Sequence, residues 1–231
     1  LAEQYWNERT RAAMVATPSN PTGTVLPLTQ LRELDKCISE KGGVLIVDEI
    51  YQGLVYDSSD YTALSVSDDC FVINSFSKYF GMTGWRVGWM VVPELYVDAI
   101  DRIAQNIFLA PPTISQHAAI TALQEDTQVE HDRRRDEFKK RRDFLLPALK
   151  QIGFDIAVEP RGAFYIYANC ERFTDDSFSW GKQKLDEQGV AITPGIDFGD
   201  HHANLHCRFA YTQSLPVLEQ AVDKIAAFVH R

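Results

Sequence analysis

The sequence predicts an α/β chain, a layered sheet in its first half followed by a smaller α+β unit. Three observations carry that expectation. Short uncharged runs rich in branched residues recur before Pro93, as strands covered on both faces do. Between two of them lies a segment with apolar residues at helical spacing. After about residue 130 the alternation gives way to one long charged helix and then to short mixed elements.

Ala12–Ala16 (AAMVA) opens the series as a short strand and stops at the turn-rich TPSNPTG. Residues 28–40 place Leu28, Leu31, Leu34 and Ile38 at helical spacing and end before Gly42-Gly43. The β-branched run 44–47 follows and ends in Asp48-Glu49. Strand, helix and strand in that order make a βαβ unit and imply parallel strands. Two more strands are expected at 70–74 and 87–92, the second stopped by Pro93. Residues 129–150 read as one helix with Val129, Phe138, Leu145, Leu146 and Leu149 on one side. Its basic residues alternate with Asp132, Asp136, Glu137 and Asp143, which makes a solvated face rather than an anion-binding patch. Strands at 163–167, 190–193 and 205–210 and helices at 178–188 and 215–229 complete the chain, with Ser214 as the last cap. The expected domains are therefore 1–130 and 131–231.

A chain of 231 residues can bury a sizeable core. Its 23 Lys and Arg against 32 Asp and Glu leave a net charge of −9, which disfavours a nucleic-acid partner and suits small molecules. Cys37, Cys70, Cys170 and Cys207 lie far apart with no CxxC pair, as in a reduced, cytoplasmic protein. Residues 103–124 carry no formal charge, but Gln105, Asn106, Gln116, His117 and Pro111-Pro112 make them too polar and too broken to span a membrane. The N-terminus lacks the apolar run of a signal peptide. Asp197, Asp200, His201, His202 and His206 resemble a metal-ligand cluster, yet their passage through a glycine-containing turn fits a polar loop, and no metal is expected. Asp197-Phe198-Gly199 spells a kinase motif by chance, since neither the catalytic loop nor the glycine-rich loop accompanies it.

What remains is a set of polar residues at the C-terminal ends of the expected parallel strands, where open α/β sheets place their ligands. Asn20-Pro21-Thr22-Gly23 follows the first strand. Asp48 follows the second, with Tyr51 three residues on. Ser75-Phe76-Ser77-Lys78 follows the third, and Arg86 comes eight residues after Lys78. Singly these read as a turn, a helix cap, a surface lysine and an ion-pair partner. Together they suit one ligand. A lysine forms a Schiff base with an aldehyde, and an aspartate keeps a pyridine nitrogen protonated. Two serines and an arginine suit a phosphate. Asparagine and tyrosine can reach a phenolic oxygen. Aldehyde, pyridine, phenol and phosphate add up to pyridoxal 5′-phosphate.

The stretches SNPTG (19–23), VDEIY (47–51), NSFSKYFGMTGWRVGW (74–89), GAFYIY (162–167) and HCRFAY (206–211) stand in the order found in a known family. The sequence resembles the C-terminal portion of a fold-type I, class I/II pyridoxal-phosphate-dependent aminotransferase. That resemblance implies an aspartate-aminotransferase-like architecture, with an N-terminally incomplete three-layer large domain and a small α+β domain. It makes Lys78 the Schiff-base lysine, Asp48 the partner of the pyridine nitrogen, and Asn20 and Tyr51 the holders of the phenolate oxygen. Ser75, Ser77 and Arg86 become the phosphate contacts, and Arg208 the clamp for a substrate α-carboxylate. The substrates implied are an L-amino acid and a 2-oxo acid, and the assembly implied is a homodimer.

The family's pattern begins well before SNPTG, with an N-terminal arm, a glycine- and serine-rich phosphate turn and a ring-stacking aromatic residue. Residues 1–19 are too few to hold these, so the isolated chain is expected to bind cofactor poorly and to leave a sheet edge bare. The same motifs also serve a carbon–sulfur β-lyase, a decarboxylase or a cyclopropane-forming synthase. A sensor module of a transcription regulator is the alternative that is not an enzyme, and the negative charge weighs against it.

Overall fold

The computed structural model describes residues 2–230, so Leu1 and Arg231, the outer bounds of the two expected domains, lie outside the described residues. The chain divides into two compact units. One holds the residues through Ser19 and Val25–Arg133, the other Asn20–Thr24 and the residues from Arg134 onward.

In the first unit, a short helix α1 (Ala2–Tyr5) precedes a sheet of β1 (Ala12–Ala16), β2 (Val44–Asp48), β3 (Phe71–Ser75) and β4 (Gly88–Val91), in spatial order β1-β2-β3-β4. β1, β2 and β3 are parallel, with Val15 opposite Val47 and Val47 opposite Val72. Parallel neighbours need a crossover. Helix α2 (Leu28–Ser39) supplies the first one, burying Leu31 and Ile38 against Leu45, Val47, Cys70 and Val72. The Thr17 hydroxyl accepts the Leu26 N–H at 2.9 Å and fixes the approach to that helix.

β4 runs antiparallel to β3, with Ser75 opposite Gly88. The connection between them holds only a 3₁₀ turn, Thr83–Trp85, so the chain doubles back instead of crossing over. The inner strands β2 and β3 have no exposed residue, as expected of strands covered on both faces. Among the described residues all four residues of β4 are exposed, and so is Met14 of β1, the two strands at the ends of the four-strand order. Helices α3 (Val97–Ile107) and α4 (Thr113–Ala122) follow, separated around Pro111-Pro112. Among the described residues no helix is long and apolar enough to cross a membrane.

Helix α5 (Glu125–Ile152) begins in the first unit and continues in the second. Leu145, Leu146 and Leu149 are buried as expected, but Val129 is 72% exposed. At 3.6 residues per turn, the sixteen residues from Val129 to Leu145 carry a side chain to roughly the opposite face.

The second unit contains a three-stranded antiparallel sheet of β5 (Tyr165–Asn169), β6 (Thr193–Pro194) and β7 (His206–Ala210), with β7 in the middle. β5 starts two residues later than expected because Ala163 takes a left-handed backbone, φ +58°, which a strand cannot include. Helix α6 (Ser177–Gln188) is capped by Asp176, whose Oδ1 accepts from Phe178 and Ser179 at 3.0 and 3.1 Å. Helix α7 (Leu215–Val229) starts after Ser214, but that hydroxyl makes no capping bond, contrary to the expectation. The Phe154 ring lies 4.9 Å from Phe173, 6.0 Å from Trp180 and 5.2 Å from Phe209 in an aromatic core. Lys184 is fully buried beside it, its Nζ 4.1 Å from the centre of Trp180 and 3.9 Å from that of Phe228.

Candidate active site

The parallel strands end in polar turns, and their local bonding decides which side chains serve the fold. Asp48 closes β2, and its Oδ1 accepts the Ile50 N–H at 3.0 Å, so it shapes a turn instead of capping a helix. Tyr51 is 4% exposed. Glu49, between them, is a structural group. It is buried, its Oε1 accepts the Ala63 N–H at 2.6 Å, and burial pushes its carboxyl above the usual range.

At the end of β3 the bonding is continuous. The Ser75 hydroxyl donates to Ser77 Oγ at 2.8 Å and accepts the Ser77 N–H at 3.0 Å. The Thr83 hydroxyl donates to the Ser77 carbonyl at 2.7 Å, and the Phe76 N–H donates to the Val87 carbonyl at 3.1 Å. These bonds close a loop around Lys78, whose Nζ lies 5.5 Å from the centre of the Tyr51 ring. Arg86 adopts a left-handed backbone, φ +52°, and its Nη1 donates to the Thr83 carbonyl at 3.1 Å. A non-glycine residue held in that region costs roughly 1–2 kcal/mol, so the surrounding loop must impose it.

Ser75, Ser77, Lys78, Thr83 and Arg86 line a cavity of about 940 Å³ together with the apolar Trp89 and Phe108. Asp48 and Tyr51 are not among its lining residues. Two paired hydroxyls, an ammonium and a guanidinium around one cavity fit a phosphorylated aldehyde: donors for the phosphate, an amine for the carbonyl carbon. The volume suits a ligand of that class.

In the second unit, Gly23 anchors the SNPTG turn. Its carbonyl accepts the N–H groups of Arg161 and Gly162, each at 2.9 Å. A Cβ at Gly23 would lie 2.6 Å from Pro160 Cβ, and its φ is +67°, so only glycine fits. That anchoring holds Asn20, whose Oδ1 accepts from Arg208 Nη1 at 2.7 Å. Arg208 Nη2 donates to Thr193 Oγ1 at 3.3 Å, and its guanidinium carbon lies 4.2 Å from the Tyr165 ring centre and 4.6 Å from that of Phe198. Arg208 Nε is buried without a hydrogen-bond partner among the described residues. A guanidinium oriented on two sides, flanked by two rings and still holding spare N–H donors, is prepared for a carboxylate.

Thus Ser75, Ser77, Lys78 and Arg86 meet on one cavity, Lys78 lies near Tyr51, and Asn20 meets Arg208. Sequence patterns do not assign Thr193, Thr83 or Phe198 to this site. The short strand ending at Pro194-Gly195 is the one signal that could have pointed to Thr193, which pairs directly with Arg208 across β6 and β7. Among the described residues no three His, Cys, Asp or Glu side chains are grouped to hold a metal ion.

Comparisons with known proteins identify the family. Residues 2–225 match the family described as aminotransferase class I and II. The valine–pyruvate aminotransferase of Mycobacterium tuberculosis is 38% identical over 221 residues, 95% of this chain and 57% of that protein. A crystal structure of an aminotransferase from the same organism superposes with a TM-score of 0.94 at 36% identity, covering 98% of this chain and 59% of the other. The aspartate aminotransferase from Thermus thermophilus, solved with maleate, gives 0.90 at 32% identity, covering 98% and 59%. The chain therefore spans less than two thirds of the length of these relatives. By family match, sequence identity and fold, it belongs to the class I and II aminotransferases.

Proposed function

We propose that this chain carries the cofactor lysine and the substrate clamp of a pyridoxal-phosphate-dependent aminotransferase that moves an amino group from an L-amino acid to a 2-oxo acid. The observation that supports it most is the single cavity shared by Ser75, Ser77, Lys78 and Arg86. When bound, the cofactor supplies an aldehyde for the amino nitrogen and a pyridine ring that takes up the electron pair of the Cα–H bond. Ser75, Ser77 and Arg86 would hold its phosphate, and Asp48 would keep its ring nitrogen protonated. Tyr51 and Asn20 would donate to its phenolate oxygen. Lys78 would hold the cofactor through its aldehyde carbon and would carry the substrate Cα proton, first as base and then as acid. Arg208 would meet the α-carboxylate, with Asn20 and Thr193 fixing the plane of the guanidinium.

In the same proposal the first unit is the incomplete large domain and the second the small domain. The protein acts as a homodimer, a reading supported by the exposed apolar residues of α3 and β4. The test is borohydride reduction of the intact protein with pyridoxal phosphate, followed by peptide mapping. The label is expected on Lys78, and a label elsewhere overturns the assignment. Incubation with an amino acid and 2-oxoglutarate is expected to yield glutamate. Ammonia and pyruvate from cysteine or cystathionine, without glutamate, would replace the aminotransferase with a β-lyase.

A further inference from the structure

The residue after Lys78 is tied down on several sides. The Tyr79 hydroxyl donates to Asp132 Oδ1 at 2.8 Å and lies 3.4 Å from Gln128 Oε1, both on the first turns of α5. Its ring packs against the buried imidazole of His131, centre to centre 5.3 Å, and edge-on to Phe80 at 5.1 Å. His131 is itself fixed, because its Nε2–H donates to the Ala122 carbonyl at 3.1 Å. Gly53, in the turn that carries Tyr51, has φ +86°, and a Cβ there would lie 2.5 Å from Tyr79 Cγ. The Gly53 backbone therefore sits directly on the tyrosine ring. One side chain thus bears on the Lys78 loop, on the turn after Asp48 and Tyr51, and on a long helix.

We propose that Tyr79 is a positioning residue for the lysine, with Asp132 as the anchor of its hydroxyl. The inference rests on the assignment of Lys78 as the cofactor-bearing residue. A lysine that bonds to an aldehyde carbon and then carries a proton must move its Nζ while its Cα stays fixed. The bonds Gly81 N–H to Lys78 O at 3.0 Å and Met82 N–H to Phe76 O at 2.9 Å close the loop itself. Tyr79 holds that loop against its surroundings. No residue of this set needs to touch substrate.

The experiment uses Tyr79→Phe, Asp132→Ala and the double variant of the intact protein. The first readout is amide hydrogen exchange of residues 77–82 without cofactor. Loss of one hydrogen bond to a carboxylate is expected to speed exchange there about tenfold in each variant, with no further gain in the double variant. The second readout is steady-state kinetics, in which kcat is expected to fall about tenfold while KM changes less than about threefold. Exchange at 77–82 equal to wild type in Tyr79→Phe overturns the proposal, as does a loss confined to KM. Additive effects in the double variant overturn the role of Asp132. Failure of the cofactor assignment reads out separately, as a borohydride label absent from Lys78 in the wild type.

Discussion

In the first unit strand β4 is exposed, α3 buries none of its residues, and the polar side chains cluster around a large cavity. In the second unit, the rings around Phe154 make a core that buries the Lys184 ammonium, whose Nζ has no hydrogen-bond partner among the described residues. Arg86 in the first unit is exposed and bonds one loop carbonyl, whereas Arg208 in the second is held by two side chains and two rings. A group that must grip a cofactor needs donors left over by the fold. A group that must orient a carboxylate needs a plane fixed in advance. On the proposed function, chemistry in the first unit resides in loops at strand ends, and orientation in the second resides in paired strands.

Four substitutions probe that division, from the largest effect to the smallest. Lys78→Ala should lower amino transfer by at least about 10³-fold, more than about 4 kcal/mol in the barrier, because both roles proposed for it, covalent and proton-transferring, go. Its denaturation midpoint should stay near that of wild type, and a large drop would make Lys78 a structural residue. Leu149→Ala should cost about 2–5 kcal/mol in chemical unfolding, since the side chain is fully buried under the second unit. A loss confined to activity would deny that this core supports itself. Arg208→Lys keeps the charge but loses the two-sided orientation, so KM for the amino acid should rise about 10- to 100-fold with a smaller change in kcat. Equal kinetics for the two residues would remove Arg208 from carboxylate recognition.

The smallest expected effect is at Lys184, where burial holds the ammonium down to a pKa of about 8. The folded chain then binds fewer protons than the unfolded chain between about pH 8 and the ordinary value of 10.5, so wild-type stability should rise with pH across that window. Lys184→Met should stabilise the protein by on the order of 1 kcal/mol at pH 7, the desolvation cost less the attraction of two rings. Urea unfolding of both proteins at pH 7 and 10 should show the gain shrinking at the higher pH. A gain that grows with pH would contradict the burial of a charged amine.

The first three strands were legible because their runs are short and largely apolar, with β2 and β3 ending in Asp48 and Ser75 and β1 giving way to a turn-rich segment. Lys78 and Arg86 were legible from spacing, since a loop of that length brings both onto one cavity. The direction of β4 was not, because nothing in GWMV distinguishes a parallel from an antiparallel neighbour. The start of β5 was missed for a local reason, the left-handed Ala163, and β6 shrank to two residues at Pro194. The partners of Arg208 illustrate the larger limit. Asn20 precedes it by 188 positions, and only the anchored turn at Gly23 brings the two together. Tyr79 was hidden in plain view, since its partner Asp132 reads as one more charge on a solvated helix.

The outer position of β4 has a practical side. A strand at the rim of a sheet offers a row of unmet N–H and C=O groups, and here it also carries Trp89, Met90 and Val91, uncharged and at least 37% exposed. In preparations of these 231 residues alone such a segment is a template for another strand, and self-association should start there. Light scattering that falls on Met90→Lys and is unchanged by a lysine placed at the exposed Val158 would locate the sticky edge.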